Sequence, residues 1–371
     1  MAREKIANRQ LLFMLFMVRS TLVIATLPVL TTGKAGQDAW AAGIITLLGS
    51  MVIVLMVGGL DTRFPGLTVV EYSRQLLGKY LGGLISLAFL WLFLHIAATD
   101  TRIYAEVIVG EFLPLTPITF IIASMVILAA LAVYLGLEVI GRTADALMPF
   151  FTLFIVFSVA GALRAFQPQN LEPVLARGTG PVISGAVTPL ATGVHCLALA
   201  MLIPTLTVPE KATSSALVAI TLAGVVLIAA SIAVVGVLGP ELGSRAVFPF
   251  FEMIRSIEIS AFLERVEAPA VAAWGFGLLI DVAIFLYCGC RGLSQLLGLR
   301  DYRILVGPLT VIWIIIAFHA YENLFMTLKI FEPGVTAPYI TAIFLVPYVL
   351  LWGAYIVRAL LGKIPGRKGG A

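Results

Sequence analysis

Ten long apolar blocks, parted by short charged spacers, run through this chain almost from end to end. Such a pattern leaves no stretch for a soluble domain, because charged residues make up only 12% of the 371 and hydrophobic ones 60%, against roughly 25% charged in a soluble domain. The blocks fall near residues 10–30, 40–60, 82–108, 117–136, 143–163, 182–203, 214–238, 269–290, 304–324 and 336–357. Each reaches the about 20 residues that carry a helix across hydrocarbon. Continuous apolar runs fit helices, whereas a barrel strand would show about 10 residues of alternating polarity. The expected fold class is an all-α polytopic membrane protein of about ten transmembrane helices, forming a single transmembrane domain over 1–371.

The cationic residues orient it. With the amino terminus inside, 15 of the 24 Lys and Arg fall on the cytoplasmic side, eight on the other and Arg19 within a span. This bias places both termini in the cytoplasm. It also accounts for the net charge of +4, and the basic residues form no aromatic-interleaved patch, so no nucleic-acid partner is expected. Residues 1–30 have the basic start and apolar core of a signal peptide but lack a small-residue cleavage site, and read as a retained first helix.

Soluble-type chemistry has no foothold. Cys196, Cys288 and Cys290 all sit in apolar blocks, with no two-residue gap of a metal or redox motif. Phosphate-loop, zinc-protease and nucleophile-elbow signatures are missing from the sequence. The reading is therefore no enzyme, no catalytic residue, no metal site and no cofactor.

Two spacers carry information. Residues 61–79, with Arg63-Phe64-Pro65-Gly66-Leu67-Thr68, read as a cytoplasmic turn leading into a short amphipathic helix. Between spans seven and eight, Val247, Phe251, Ile254, Ile257, Phe262 and Val266 recur at near-helical spacing, with Glu252, Arg255, Glu258, Glu264 and Arg265 between them. An outer interfacial segment over 244–267, able to act as a lid or docking surface, is the expectation; an ordinary amphipathic linker is the alternative.

Several of these stretches resemble the spore germination permease family: Ala35-Gly36-Gln37-Asp38-Ala39-Trp40, Phe248 to Arg255 followed by Phe262 to Glu267, and Gly292-Leu293-Ser294-Gln295 with Asp301-Tyr302-Arg303. The resemblance implies a B subunit of a nutrient germinant receptor, within the amino acid–polyamine–organocation transporter superfamily. Such a subunit sits in the inner membrane of the spore, binds a small nutrient such as an amino acid, and triggers germination beside A and C partner subunits. The implied fold is a five-plus-five inverted repeat, repeat one over about 10–165 and repeat two over about 180–360, with spans one and six broken at the midplane. A proton-coupled amino-acid permease is the alternative function, and a non-binding scaffold a third.

Breaks matter because exposed half-helix ends can hold charged ligands. Span six supports one: Thr188-Pro189-Leu190-Ala191-Thr192-Gly193-Val194-His195 brings proline and glycine to mid-membrane. Span one lacks the glycine usual in the family and offers Arg19-Ser20-Thr21, Thr26 and Pro28 instead. The expected ligand site lies between Ser20, Thr21 and the Gly193, Val194, His195 break, against His95 and Thr99 of span three. A structural histidine bonded to backbone is the competing reading for His195. Arg19 and Asp281, at similar depth in spans one and eight, are expected to form an internal salt bridge that replaces a coupling cation. Asp100 and Arg102 are read as interfacial charges, and His319 and Glu322 are given no ligand role.

Overall fold

The computed structural model describes residues 4–256 and 267–362. Its helices are α1 (Asn8–Ala25), α2 (Leu27–Ala35), α3 (Ala39–Asp61), α4 (Val69–Val107), α5 (Ile118–Leu135), α6 (Leu137–Ala162), α7 (Thr179–Ala191), α8 (Leu199–Leu202), α9 (Ala212–Arg245), α10 (Pro249–Arg255), α11 (Glu267–Leu297), α12 (Val306–His319), α13 (Leu324–Lys329), α14 (Pro333–Ile340) and α15 (Val346–Leu360). Nine helical stretches among the described residues are long and apolar enough to cross a membrane. The first of them, Leu27–Asp61, runs across the turn between α2 and α3. Taking α1 and α2 as the halves of one interrupted crossing, the count becomes the ten of the sequence.

Helix contacts divide the crossings into two groups. α1 with α2, α3, α7 with α8, and α9 pack against one another, while α4, α5, α11 and α12 form the second group. Each group takes two crossings from the first half of the chain and the matching two from the second. Small residues allow the close approach: a Cβ on Gly224 would overlap Leu47, and one on Gly49 would overlap Leu190. α11 joins the groups by touching both α1 and α4, and its Gly277 leaves room for the Thr21 hydroxyl and the Phe151 ring.

We call the side that carries residues 4–10 proximal and the opposite side distal. On the proximal side Ile6 is clamped to the end of span six by its N–H to the Thr205 carbonyl (2.9 Å) and its carbonyl from the Thr207 N–H (3.0 Å). The spacer after α3 does become a short helix. Thr68 and Glu71 form a capping box, and Gly78, at φ +81°, ends the segment before the crossing proper begins. It is not a solvated loop, since Val69, Val70, Tyr72, Ser73 and Leu76 are buried. The Tyr72 hydroxyl donates to the buried carboxylate of Asp61, and the Tyr348 hydroxyl stands 3.5 Å from the same group.

On the distal side α10 buries Phe250, Phe251, Met253 and Ile254, while Glu252 faces out. Arg255 pairs with Glu111, in the π-helical turn that follows α4 (2.7 Å). The remainder of the expected interfacial segment, including Ile257, Glu258, Phe262, Glu264, Arg265 and Val266, lies outside the described residues.

Candidate functional site at the interrupted crossing

Span six breaks by tightening rather than unwinding. α7 gives way at Thr192 to a 3-10 turn over Thr192–Ala198, then to the single turn of α8. Pro189, one turn earlier, has no N–H for the helix ladder, and its own carbonyl is taken by side chains: Arg19 Nη2 donates to it at 2.8 Å and the Thr192 hydroxyl at 2.7 Å. Thr188 likewise turns its hydroxyl to the Phe331 carbonyl (2.7 Å). Span one is interrupted at Thr26, whose φ of −131° separates α1 from α2.

The break faces a cavity of about 50 Å³ lined by His95, Thr99 and Asp100 of α4, Thr192, Val194 and His195 of span six, and Phe331 and Tyr339 near the start of span ten. On its distal side lies a larger space of about 630 Å³, bounded by α2, α7 and residues 328–334, with Lys34 and Glu332 at its wall. Phe331 lines both. The inner cavity alone is far smaller than an amino acid, and Phe331 stands in the wall between it and the larger space.

Polar contacts hold the inner wall in place. The His195 Nδ1 lies 2.7 Å from the Thr192 carbonyl and its Nε2 lies 3.0 Å from Asp100 Oδ2. Because a carbonyl only accepts, Nδ1 carries the proton. His95 is flanked by two tyrosines, with Nδ1 2.9 Å from the Tyr339 hydroxyl and Nε2 3.1 Å from that of Tyr321. The Trp91 indole donates to Tyr339 (3.0 Å), and Tyr321 also reaches the Thr99 hydroxyl (3.0 Å). Since an indole N–H can only donate, a consistent chain runs Trp91 to Tyr339 to His95 to Tyr321 to Thr99.

Of the residues expected to bind ligand, His95, Thr99, Val194 and His195 line this cavity. Ser20, Thr21 and Gly193 do not. Thr21 donates to the Met17 carbonyl (2.8 Å) and packs on Gly277, while a Cβ on Gly193 would meet Ile53 of α3 at 2.8 Å. Ser20 is buried, and its hydroxyl finds no hydrogen-bond partner among the described residues.

The expected Arg19–Asp281 salt bridge is not formed. Arg19 spends its guanidinium on Thr192 Oγ1 (2.5 Å) and the Pro189 carbonyl, because the 3-10 turn exposes these acceptors beside α1. Asp281 instead groups with Asp100 and His195, one ligand atom from each lying within 4.8 Å of the others. The reading of Asp100 and Arg102 as interfacial charges also fails, as both are buried. Arg102 binds Glu106 (2.6 Å) and the Phe318 carbonyl at the end of α12 (2.7 Å). The apolar block that carries Asp100 ends near residue 108, which sets it toward the outer face. In the structure the helical chain continues to Phe112, which leaves Asp100 about 18 Å below its last turn.

Two interrupted crossings and a cavity between two four-helix groups define a transporter-type membrane protein. Solved structures agree on the fold. The chain is similar to MhsT in complex with L-phenylalanine, at 15% identity with TM-score 0.66, covering 98% of this chain and 100% of that one. It is also similar to Mhp1, a nucleobase-cation-symport-1 family transporter, at 11% identity with TM-score 0.73, covering 99% of this chain and 83% of that one.

The sequence goes further. The model of the spore permease family, described as spore germination protein, matches residues 5–324, and the chain belongs to this family. It is 27% identical over 305 residues to spore germination protein YndE of Bacillus subtilis (strain 168), covering 81% of this chain and 83% of the relative. It is also 27% identical over 321 residues to spore germination protein KB of the same organism, covering 83% of each.

Proposed function

We propose that the protein is the B-type subunit of a nutrient germinant receptor that binds a small nutrient, an amino acid, between span three and the interrupted span six. The observation that carries this reading is the pair of spaces sharing Phe331. A distal vestibule large enough for an amino acid ends on a wall of hydroxyl, imidazole and carboxylate groups drawn from both helix groups. A ligand seated there touches the two groups at once, so its binding energy can shift one against the other. The movement would be passed to A and C partner subunits. In this reading the protein lies in the inner membrane of the spore with both termini cytoplasmic, so the vestibule opens away from the spore interior.

Binding and flux measured together test the proposal. In proteoliposomes the receptor reading expects equilibrium binding of an amino acid without net uptake, whereas the proton-coupled permease expects uptake with binding. In spores, Thr99→Val and Thr192→Val should each raise the nutrient concentration for half-maximal germination about tenfold, the loss of one or two hydrogen bonds, at unchanged protein level. An unaltered concentration dependence in both variants overturns the site, and neither binding nor uptake overturns the function.

A further inference from the structure

One cluster that reaches from the cavity wall into the protein behind it holds a residue, Asp281, left unexplained by nutrient recognition. Asp100, His195 and Asp281 arrive from spans three, six and eight, with exposures of 7%, 5% and 1%. Asp281 is the informative member. Neither of its carboxylate oxygens accepts a hydrogen bond among the described residues, yet it offers a ligand atom within 4.8 Å of those from Asp100 and His195. A carboxylate buried in hydrocarbon without a partner is strongly disfavoured. A second carboxylate beside it makes matters worse.

His195 is already oriented as a metal ligand. Its Nδ1–H is held by the Thr192 carbonyl, which fixes the ring and turns Nε2 to Asp100 Oδ2 at 3.0 Å. A backbone carbonyl bound to the far nitrogen is the usual support of a metal-bound imidazole. Neighbouring ligands on an octahedral ion at about 2.1 Å stand about 3.0 Å apart, the separation of the His195–Asp100 pair, with the Asp281 ligand atom within 4.8 Å of both. A proton between His195 and Asp100 would satisfy that pair alone, and Asp281 would need a second proton of its own to become neutral. A divalent ion, with two carboxylates and a neutral imidazole, balances all three.

We propose that Asp100, His195 and Asp281 form a binding site for a divalent transition-metal cation, with Mn²⁺ or Zn²⁺ matching the mixed oxygen and nitrogen donors, reached from the cavity that Asp100 and His195 line. The site stands independently of which nutrient the cavity takes. It ties spans three and eight of one helix group to the interrupted crossing of the other.

Metal content of the purified, tag-free full-length chain tests this. After chelator stripping and dialysis against Mn²⁺ or Zn²⁺, the chain and an exposed-site control, Glu241→Gln, should each retain about one ion. Asp281→Asn and His195→Gln should weaken binding at least tenfold. Retention of the ion by both cluster variants, or no ion above the detergent blank in the unaltered chain, overturns the proposal. Should either variant fail to insert, spin-echo spectroscopy of the unaltered chain loaded with Mn²⁺ decides. Modulation from an imidazole nitrogen supports the site, and its absence overturns it.

Discussion

Arg19 of span one donates to Thr192 of span six at 2.5 Å, so the charge at the middle of the first crossing is bound to the residue at which the second interrupted crossing changes its winding. A side chain within the first half of span one is thereby tied to the break in span six.

Removing that tie should loosen the break. Arg19→Ala loses two hydrogen bonds from a charged donor, each worth about 1.5–3 kcal/mol, partly offset by relief of a buried charge. A net destabilisation of about 2 kcal/mol is expected, read as a lowered melting temperature in detergent. Arg19→Lys should recover part of it, since one ammonium can reach only one acceptor well.

The proximal end offers a graded comparison. Tyr72→Phe takes the close hydroxyl donor from buried Asp61 and should cost about 1–3 kcal/mol. Tyr348→Phe removes a contact at 3.5 Å and should cost less than about 1 kcal/mol. In a double-mutant cycle, Asp61→Asn with Tyr72→Phe should cost less than the sum of the single changes. Additive losses would separate the two residues energetically.

Gly277 should tolerate no side chain. A Cβ there would overlap the Thr21 hydroxyl and come within 2.9 Å of the Phe151 ring, so Gly277→Ala should destabilise by about 1–3 kcal/mol. Thr21→Ala in the same chain should restore part of the loss by removing the overlapping atom. Thermal unfolding of the three variants checks both halves of the expectation.

Orientation is open to chemical labelling. A cysteine in place of exposed Glu252 on the distal side should react with an impermeant thiol reagent applied outside the cell. One in place of Arg300, exposed on the proximal side, should react only after permeabilisation. The opposite pattern would invert the proposed topology.

Much of the fold was legible because a bilayer demands long apolar helices, and apolar runs are read directly from sequence. The α7 break was legible too, through Pro189. Site residues divided differently. His95 and His195 stand out as ionisable groups at depth, but Asp100 reads as an interfacial charge toward the outer face, and Arg19 pairs with Asp281 on depth alone. Depth says nothing of azimuth: Arg19 faces the 3-10 turn and Asp281 faces α4, a difference set by helix rotation. Tyr321, Tyr339 and Phe331 were missed entirely, because they reach the site from the connection and crossing beyond α12, more than a hundred residues after the histidine they surround.

Phe331 gives the site a kinetic character. Its ring, 8% exposed, belongs to the wall of both spaces, so an occupant that reaches the inner one from the distal one has to pass it. The apparent affinity for any occupant is then the intrinsic affinity scaled by the fraction of molecules open at that instant. Opening the ring permanently, as in Phe331→Ala, should speed labelling of a cysteine placed at Val194 at least tenfold, in a chain whose three native cysteines are alanine. Under the proposed function, the same ring would set how much nutrient must be present before the inner wall is occupied.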